Sequence, residues 1–297
     1  MDRKKKFMMG LTLTGILTIG GLVNPITLEN TRVEAASNAD TSGSIPKKEN
    51  EILRYLSNSM LDYYQEEKQT VKTEIESLIL VEEVTKKSQL FKITEQRYEA
   101  LQVYKEEKKK NATKAKQTYN KKLSNIDTEQ TNIEKNFEKK IAQLNDSQSK
   151  QVASIGKSME NNISSMQKEE SKRIEMNAGT DEIMNNINLI NKAVVKYKSQ
   201  AILLHFDNDI KGKETEIKLL SLTTSLEKEK WNSQFKRGSI TKTVLKNKIS
   251  NLESKEKTEK NRLNGVISSM EKAKNNQLQN LFEQKDQTVK ELQKLIK

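Results

Sequence analysis

From Ile126 to Ile174 the chain carries a stripe whose period can be read directly. At Ile126, Gln130, Ile133, Phe137, Ile141, Leu144, Gln148, Val152, Ile155, Met159, Ile163, Met166, Glu170 and Ile174, eleven of fourteen side chains are apolar. Among the 35 other positions of that window only Ala142 and Ala153 are apolar. From Phe137 the steps alternate four, three, four, and the pattern recurs as Ile141, Val152, Ile163 and Ile174. Eleven residues in three turns is about 3.67 per turn, so the stripe runs almost straight with a slight right-handed drift. A similar stripe follows at Leu252, Leu263, Ile267, Met270, Leu278, Leu281, Val289, Leu292 and Ile296, interrupted by Glu256, Glu259, Lys274 and Lys285. Between the two, Ile183, Ile187, Ile190, Val194, Tyr197, Ala201 and Leu204 keep a strict heptad. Met184, Leu189, Val195, Ile202 and Leu203 widen that face. A wide apolar face needs more than one neighbour to cover it, so this segment is expected to lie between two other helices.

Turn chemistry divides the helices. Asn177-Ala178-Gly179-Thr180 offers a glycine to end one helix and a threonine to cap the next, with Asp181 and Glu182 in its first turn. Arg237-Gly238-Ser239 offers glycine followed by a capping serine. Segments 181–236 and 240–297 are then of nearly equal length, as an antiparallel hairpin requires, each about 85 Å long at about 1.5 Å per residue. Counting back the same distance from Asn177 reaches Lys122. The expected architecture is all-α: an elongated antiparallel coiled-coil bundle of long helices. In it 122–297 forms three helices with turns near 177–180 and 237–239. Residues 48–121 form one or two further helices, with a possible break at Lys86–Ser88. The polar stripe positions, among them Gln130, Gln148, Glu170, Glu256, Glu259, Lys274 and Lys285, are expected to fix register.

Composition agrees. Both prolines, Pro25 and Pro46, lie near the start, and proline costs about 3 kcal/mol inside a helix. Ahead of the helices, Arg3, Lys4, Lys5 and Lys6 precede a charge-free run from Phe7 to Val23, and Val33-Glu34-Ala35-Ala36 gives a small-residue exit. These are the parts of a secretory signal peptide at 1–35, cleaved after Ala35, with 36–47 as a flexible tether. The expected destination is secretion or the bacterial cell envelope. Net charge is +12 over 297 residues, which favours anionic surroundings such as wall polymers, lipid headgroups or extracellular DNA.

Candidate chemistry is sparse. The absence of cysteine excludes disulfides, zinc-cysteine modules and a cysteine nucleophile, and a lone His205 excludes sites needing two imidazoles. Asp207, Asp209 and Gly212 fit three positions of a calcium loop, but Lys211 and Lys218 occupy ligand positions, so the segment reads as a local kink. Trp231 and Phe235, one turn apart, form either a plug closing the bundle end or an aromatic tip for a membrane or partner. From Lys105 to Lys122 eight lysines (Lys105, Lys108, Lys109, Lys110, Lys114, Lys116, Lys121 and Lys122) stand against two glutamates, with little apolar surface. This is an exposed helix, or a corner where the chain changes partner, and a candidate contact for anionic polymer.

An export signal followed by long helices resembles the helical half of secreted cysteine-type peptidoglycan hydrolases, which carry a catalytic cysteine and histidine that this sequence does not supply. The layout is also similar to secreted α-helical pore-forming toxins. Their membrane hairpin has as its counterpart here only Ala201-Ile202-Leu203-Leu204-His205-Phe206, too short to span a bilayer. The expectation is therefore an exported, non-catalytic coiled-coil protein with no cofactor, metal or small-molecule substrate. It would act as a spacer, adhesin-like or assembly component through a protein partner or self-association along its stripes. The alternatives are a membrane-active toxin subunit and a binder of wall polymer or extracellular DNA.

Overall fold

The computed structural model describes residues 44–175 and 180–296. Among them are four α-helices and no strand: α1 (Ser44–Glu107), α2 (Ala112–Glu175), α3 (Thr180–Lys236) and α4 (Lys242–Ile296). The chain is all-α, as its periodicity implies. The expected signal peptide at 1–35 and residues 36–43 of the expected tether lie outside the described residues, as do 177–179 of the expected first turn. The last tether positions, 44–47, instead open α1. Pro46 sits in that first turn, where the N–H it lacks would have had no helical partner.

No break occurs at Lys86–Ser88, and α1 runs unbroken through them. All three residues tolerate helix, and the Lys86 ammonium lies 4.2 Å from the centre of the Phe137 ring on α2, so the position is packed. The chain turns instead at 108–111. The Asn111 side-chain oxygen accepts the backbone N–H of Lys114 at 3.0 Å, so Asn111 caps α2. The boundary expected at 121/122 therefore falls inside α2. The second turn lies where glycine placed it. Gly238 has φ 70, the Gly238 N–H donates to the Phe235 carbonyl at 2.9 Å and the Ser239 N–H to that of Gln234 at 2.9 Å. These two bonds close α3 and satisfy its last carbonyls. Ser239 is thus part of the closure and does not cap α4, because α4 begins at Lys242, three residues further on. Thr241 takes the capping role, its hydroxyl accepting the Val244 N–H at 3.3 Å.

Pairing across the helices fixes the order. Arg97 Nη2 donates to Asp127 at 2.7 Å and to Gln130 at 2.8 Å, Lys140 pairs with Glu82, and Asn162 bonds Tyr64, so α1 and α2 run antiparallel. Lys228 reaches Glu253 at 2.9 Å and Lys274 reaches Asp207 at 2.9 Å, which makes α3 and α4 antiparallel as well. Between the hairpins, Glu74 pairs with Lys211, Ser77 bonds Thr215 at 2.9 Å and Glu95 bonds Ser233 at 2.6 Å. Numbers rise together on both sides, so α1 and α3 are parallel. Extended packing joins α1 to α2, α1 to α3 and α3 to α4. The lateral order is α2, α1, α3, α4.

This order differs from a three-helix bundle of 122–297. α3 does lie between two helices, but the neighbours are α1 and α4, and α2 packs on α1. The physical reason is the width of the faces. α2 offers one narrow stripe, enough for one neighbour. α1 buries Leu56, Met60, Tyr64, Val71, Ile75, Ile93 and Ala100, a set that serves two. One cluster joins Leu56, Met60 and Tyr64 to Ile190 and Val194 of α3, with Ile155, Met159, Ile163 and Met166 of α2 packed against it. A second joins Ile93 and Ala100 to Ile126 of α2, flanked by Tyr119 and Ile133.

Candidate functional site

The lysine-rich stretch occupies the corner between α1 and α2. Around the turn at 108–111 all eight lysines are exposed. None of them forms an ion pair among the described residues, although Glu106 and Glu107 stand in the same stretch. The hairpin behind them is held by small, close contacts. Ala115 is buried, and the Tyr104 and Tyr119 rings stack with centroids 4.9 Å apart and planes at 25°. Lys108 lies 5.9 Å from the Tyr104 ring centre, near the outer limit of a cation–π contact.

The end of α3 decides how much of this hairpin stands alone. Ser233 and Arg237 both donate to Glu95, each at 2.6 Å, and the Arg237 guanidinium lies 3.9 Å over the Tyr98 ring. The last turn of α3 is therefore level with residues 95–98 of α1. The α4 start is level with it too, since α4 returns from the same turn; Lys248 on α4 lies 4.9 Å over Trp231 of α3. Beyond that level α1 continues nine residues to Glu107, about 14 Å. On α2 the level is marked by Asp127, the partner of Arg97. All eight lysines lie beyond it, on a two-helix tip that α3 and α4 do not accompany.

The other singled-out residues are drawn into contacts between helices. His205 Nδ1 donates to Glu66 at 3.3 Å, and its Nε2 lies 3.9 Å from Asp209. The hydrogen bond to Glu66, together with the charges of Glu66 and Asp209, holds the imidazole pKa above its ordinary value, against the opposing effect of burial. Nearby, burial raises the Asp62 carboxyl above its usual range, Glu66 adds to that, and Lys198 opposes it. Asp207 pairs with Lys274, and the Asn208 side-chain amide donates to the Glu66 carbonyl at 3.4 Å. The expected kink here is absent: α3 passes through 207–212 without interruption, because these side chains bond neighbouring helices instead of their own backbone. Among the described residues no group of acidic or histidine side chains is arranged to hold a metal ion.

Trp231 is half-buried under Lys248, whereas Phe235 one turn on is 39% exposed. The pair therefore divides between packing and solvent. Of the register positions, Gln130 and Lys274 bond across helices, while Glu256 and Glu259 pair with Lys260 and Arg262 of their own helix at 2.7 and 2.6 Å. The hydrogen bonds from Lys260 and Arg262 hold these two carboxyls below their usual range. No described helix is long and apolar enough to cross a membrane.

The Glu95–Ser233–Arg237–Tyr98 clamp and the tyrosine stack were not foreseen from sequence. Asn111 is the signal that locates the second. An asparagine closing a lysine run and opening a helix sets the corner, and the corner sets Tyr104 opposite Tyr119. No protein-family description, curated protein or solved structure matches this chain.

Proposed function

We propose that this is an exported, non-catalytic helical rod that acts as a spacer or assembly component at the bacterial cell surface. The observation that carries the reading is the side-by-side packing of four helices of 55 to 64 residues. A helix of 64 residues rises about 95 Å, so adjacent helices in register make a coiled-coil-like rod whose two ends lie far apart. Cross-helix pairs such as Gln130 with Arg97 and Lys274 with Asp207 hold that register. The basic start and apolar run at 3–23 supply the export address, and the sole histidine is engaged by carboxylates of the packed helices.

Two measurements test it. X-ray scattering is expected to give a radius of gyration near 28 Å, the value for a rod about 95 Å long; a compact domain of this size would give about 18 Å and would sink the reading. Protein recovered from the medium or envelope of a secreting host is expected to begin at Ala36, and retention in the cytoplasm overturns export. Dye release from lipid vesicles by the purified chain would transfer the assignment to a membrane-active toxin subunit.

A further inference from the structure

Along the packed helices lysines find carboxylates: Lys140 with Glu82, Lys211 with Glu74, Lys228 with Glu253 and Lys274 with Asp207. At the α1–α2 tip the balance changes, with eight exposed lysines, two glutamates and no ion pair among them. Like charges so crowded repel one another, and the repulsion is relieved by a bound anion. A buried ion pair would fix lysine geometry for one small ligand, and none is present among these residues. The tip is instead a diffuse cationic surface carried past the ends of α3 and α4.

Its shape selects the anion. At about 100° per residue, Lys114 and Lys121 share one side of α2, whereas Lys116 lies on nearly the opposite side. From the corner at Asn111 to Lys122 is about 16 Å along the helix, roughly twice the screening length of about 8 Å at physiological salt. A flat anionic surface meeting the end of the hairpin would engage Lys108, Lys109, Lys110 and Lys114 and leave Lys121 and Lys122 out of range. A flexible chain can follow the lysines around and along the tip. We infer that the α1–α2 tip binds a flexible linear polyanion with phosphate charges repeated along its length. That chemistry is shared by polyphosphodiester wall polymers, single-stranded nucleic acid and inorganic polyphosphate. The inference does not depend on the spacer role, since the tip stands clear of α3 and α4 whatever the chain does. The stacked tyrosines are half-buried against each other, so recognition is of charge and not of bases.

The test uses the full chain with two probes, a labelled single strand of about 30 nucleotides and inorganic polyphosphate of similar charge. Vesicles rich in phosphatidylglycerol form a third arm. Both polymers are expected to bind, with affinity falling roughly 10²–10³-fold between about 50 and 200 mM salt, a slope near −4 from about six net charges at about 0.7 each. Replacing Lys114, Lys116, Lys121 and Lys122 together by Gln, which keeps helix propensity, is expected to weaken binding at least tenfold at about 100 mM salt and to flatten the slope by about 3. The same charge removed at exposed Lys139, Lys157, Lys255 and Lys272 is expected to change affinity by less than about twofold, with unaltered helicity in both variants. Equal losses in the two variants would show that net charge and not the tip is responsible. Binding of the nucleic acid without polyphosphate would assign the contact to bases. Tip-dependent binding of vesicles with neither polymer would assign it to a membrane. Each of these three results overturns the proposal.

Discussion

The outer helices, α2 and α4, each lie along one neighbour, and the inner helices, α1 and α3, each lie along two. Their sequences record the difference. On α2 every described stripe position from Ile126 to Met166 is buried or half-buried, and the residues between are almost all exposed. On α4 the stripe from Leu252 to Leu281 behaves the same way, with Leu263 and Met270 fully inside. One neighbour imposes one line of apolar residues, so the period survives intact. On α1 two neighbours require two lines at different angles, and their overlap erases any single period. A helix that looks poorly periodic is here the one most used.

This contrast can be broken by experiment. The largest effect is expected from proline. Lys86→Pro in α1 removes a helical hydrogen bond where two interfaces depend on it, and is expected to cost more than the roughly 3 kcal/mol of an isolated helix interior. Lys139→Pro in α2 is expected to stay near that figure. Equal shifts in denaturant midpoint would remove the distinction between inner and outer helices. Next in size, Ile93→Ala and Leu56→Ala, each nearly inaccessible on α1, are expected to lose about 2–4 kcal/mol in denaturant unfolding, and half-buried Ile141→Ala on α2 about 1 kcal/mol. Polar pairs sharpen the comparison further. Glu95→Ala strands Ser233 and Arg237 at the α1–α3 seam and is expected to cost about 1–3 kcal/mol. Glu82→Ala, which frees only the exposed Lys140 of α2, is expected to cost less than about 1 kcal/mol. Reversal of that order in melting experiments would place the stronger seam on the outside.

The smallest effect is a pH dependence. The folded-state pKa of His205 lies above its ordinary value, so protonation favours the folded state. The contribution is fully present below about pH 6.5, the unfolded value, and is lost as pH rises through the higher folded value. Melts between about pH 6 and 8.5 are expected to show stability declining by less than about 1 kcal/mol. The slope should vanish in His205→Gln, and a slope that persists in that variant would assign it to another group.

Much of this was legible in the residues. The helical class, the glycine turn at 238 and the double packing of α3 follow from spacing and composition, which leave the lysine stretch as either an exposed helix or a corner. The lateral order does not, because the α2 stripe is equally compatible with α1 or α3 as its neighbour, and only the buried set on α1 decides between them. The tip followed the same logic. Its charge can be counted along the chain, but its isolation depends on where α3 stops against α1, which the Glu95 clamp fixes. The Asp207–Gly212 segment misleads for a related reason. Residues that usually interrupt a helix are here occupied by Lys274 of α4 and the Glu66 carbonyl of α1.

The parallel α1–α3 seam also bears on the order of events during synthesis. Bonds within the α1–α2 hairpin near its corner join residues about 30 apart, whereas those across the seam join residues 137 to 143 apart. Near-neighbour closure is fast and distant closure slow, so each hairpin can zip from its own corner before the two meet. On a nascent chain the first hairpin is complete while α3 is still being made, and for that interval the α1 surface meant for the seam faces water. The seam is the last surface to leave solvent, and hydrogen exchange along α1 would show its two faces protected at different times.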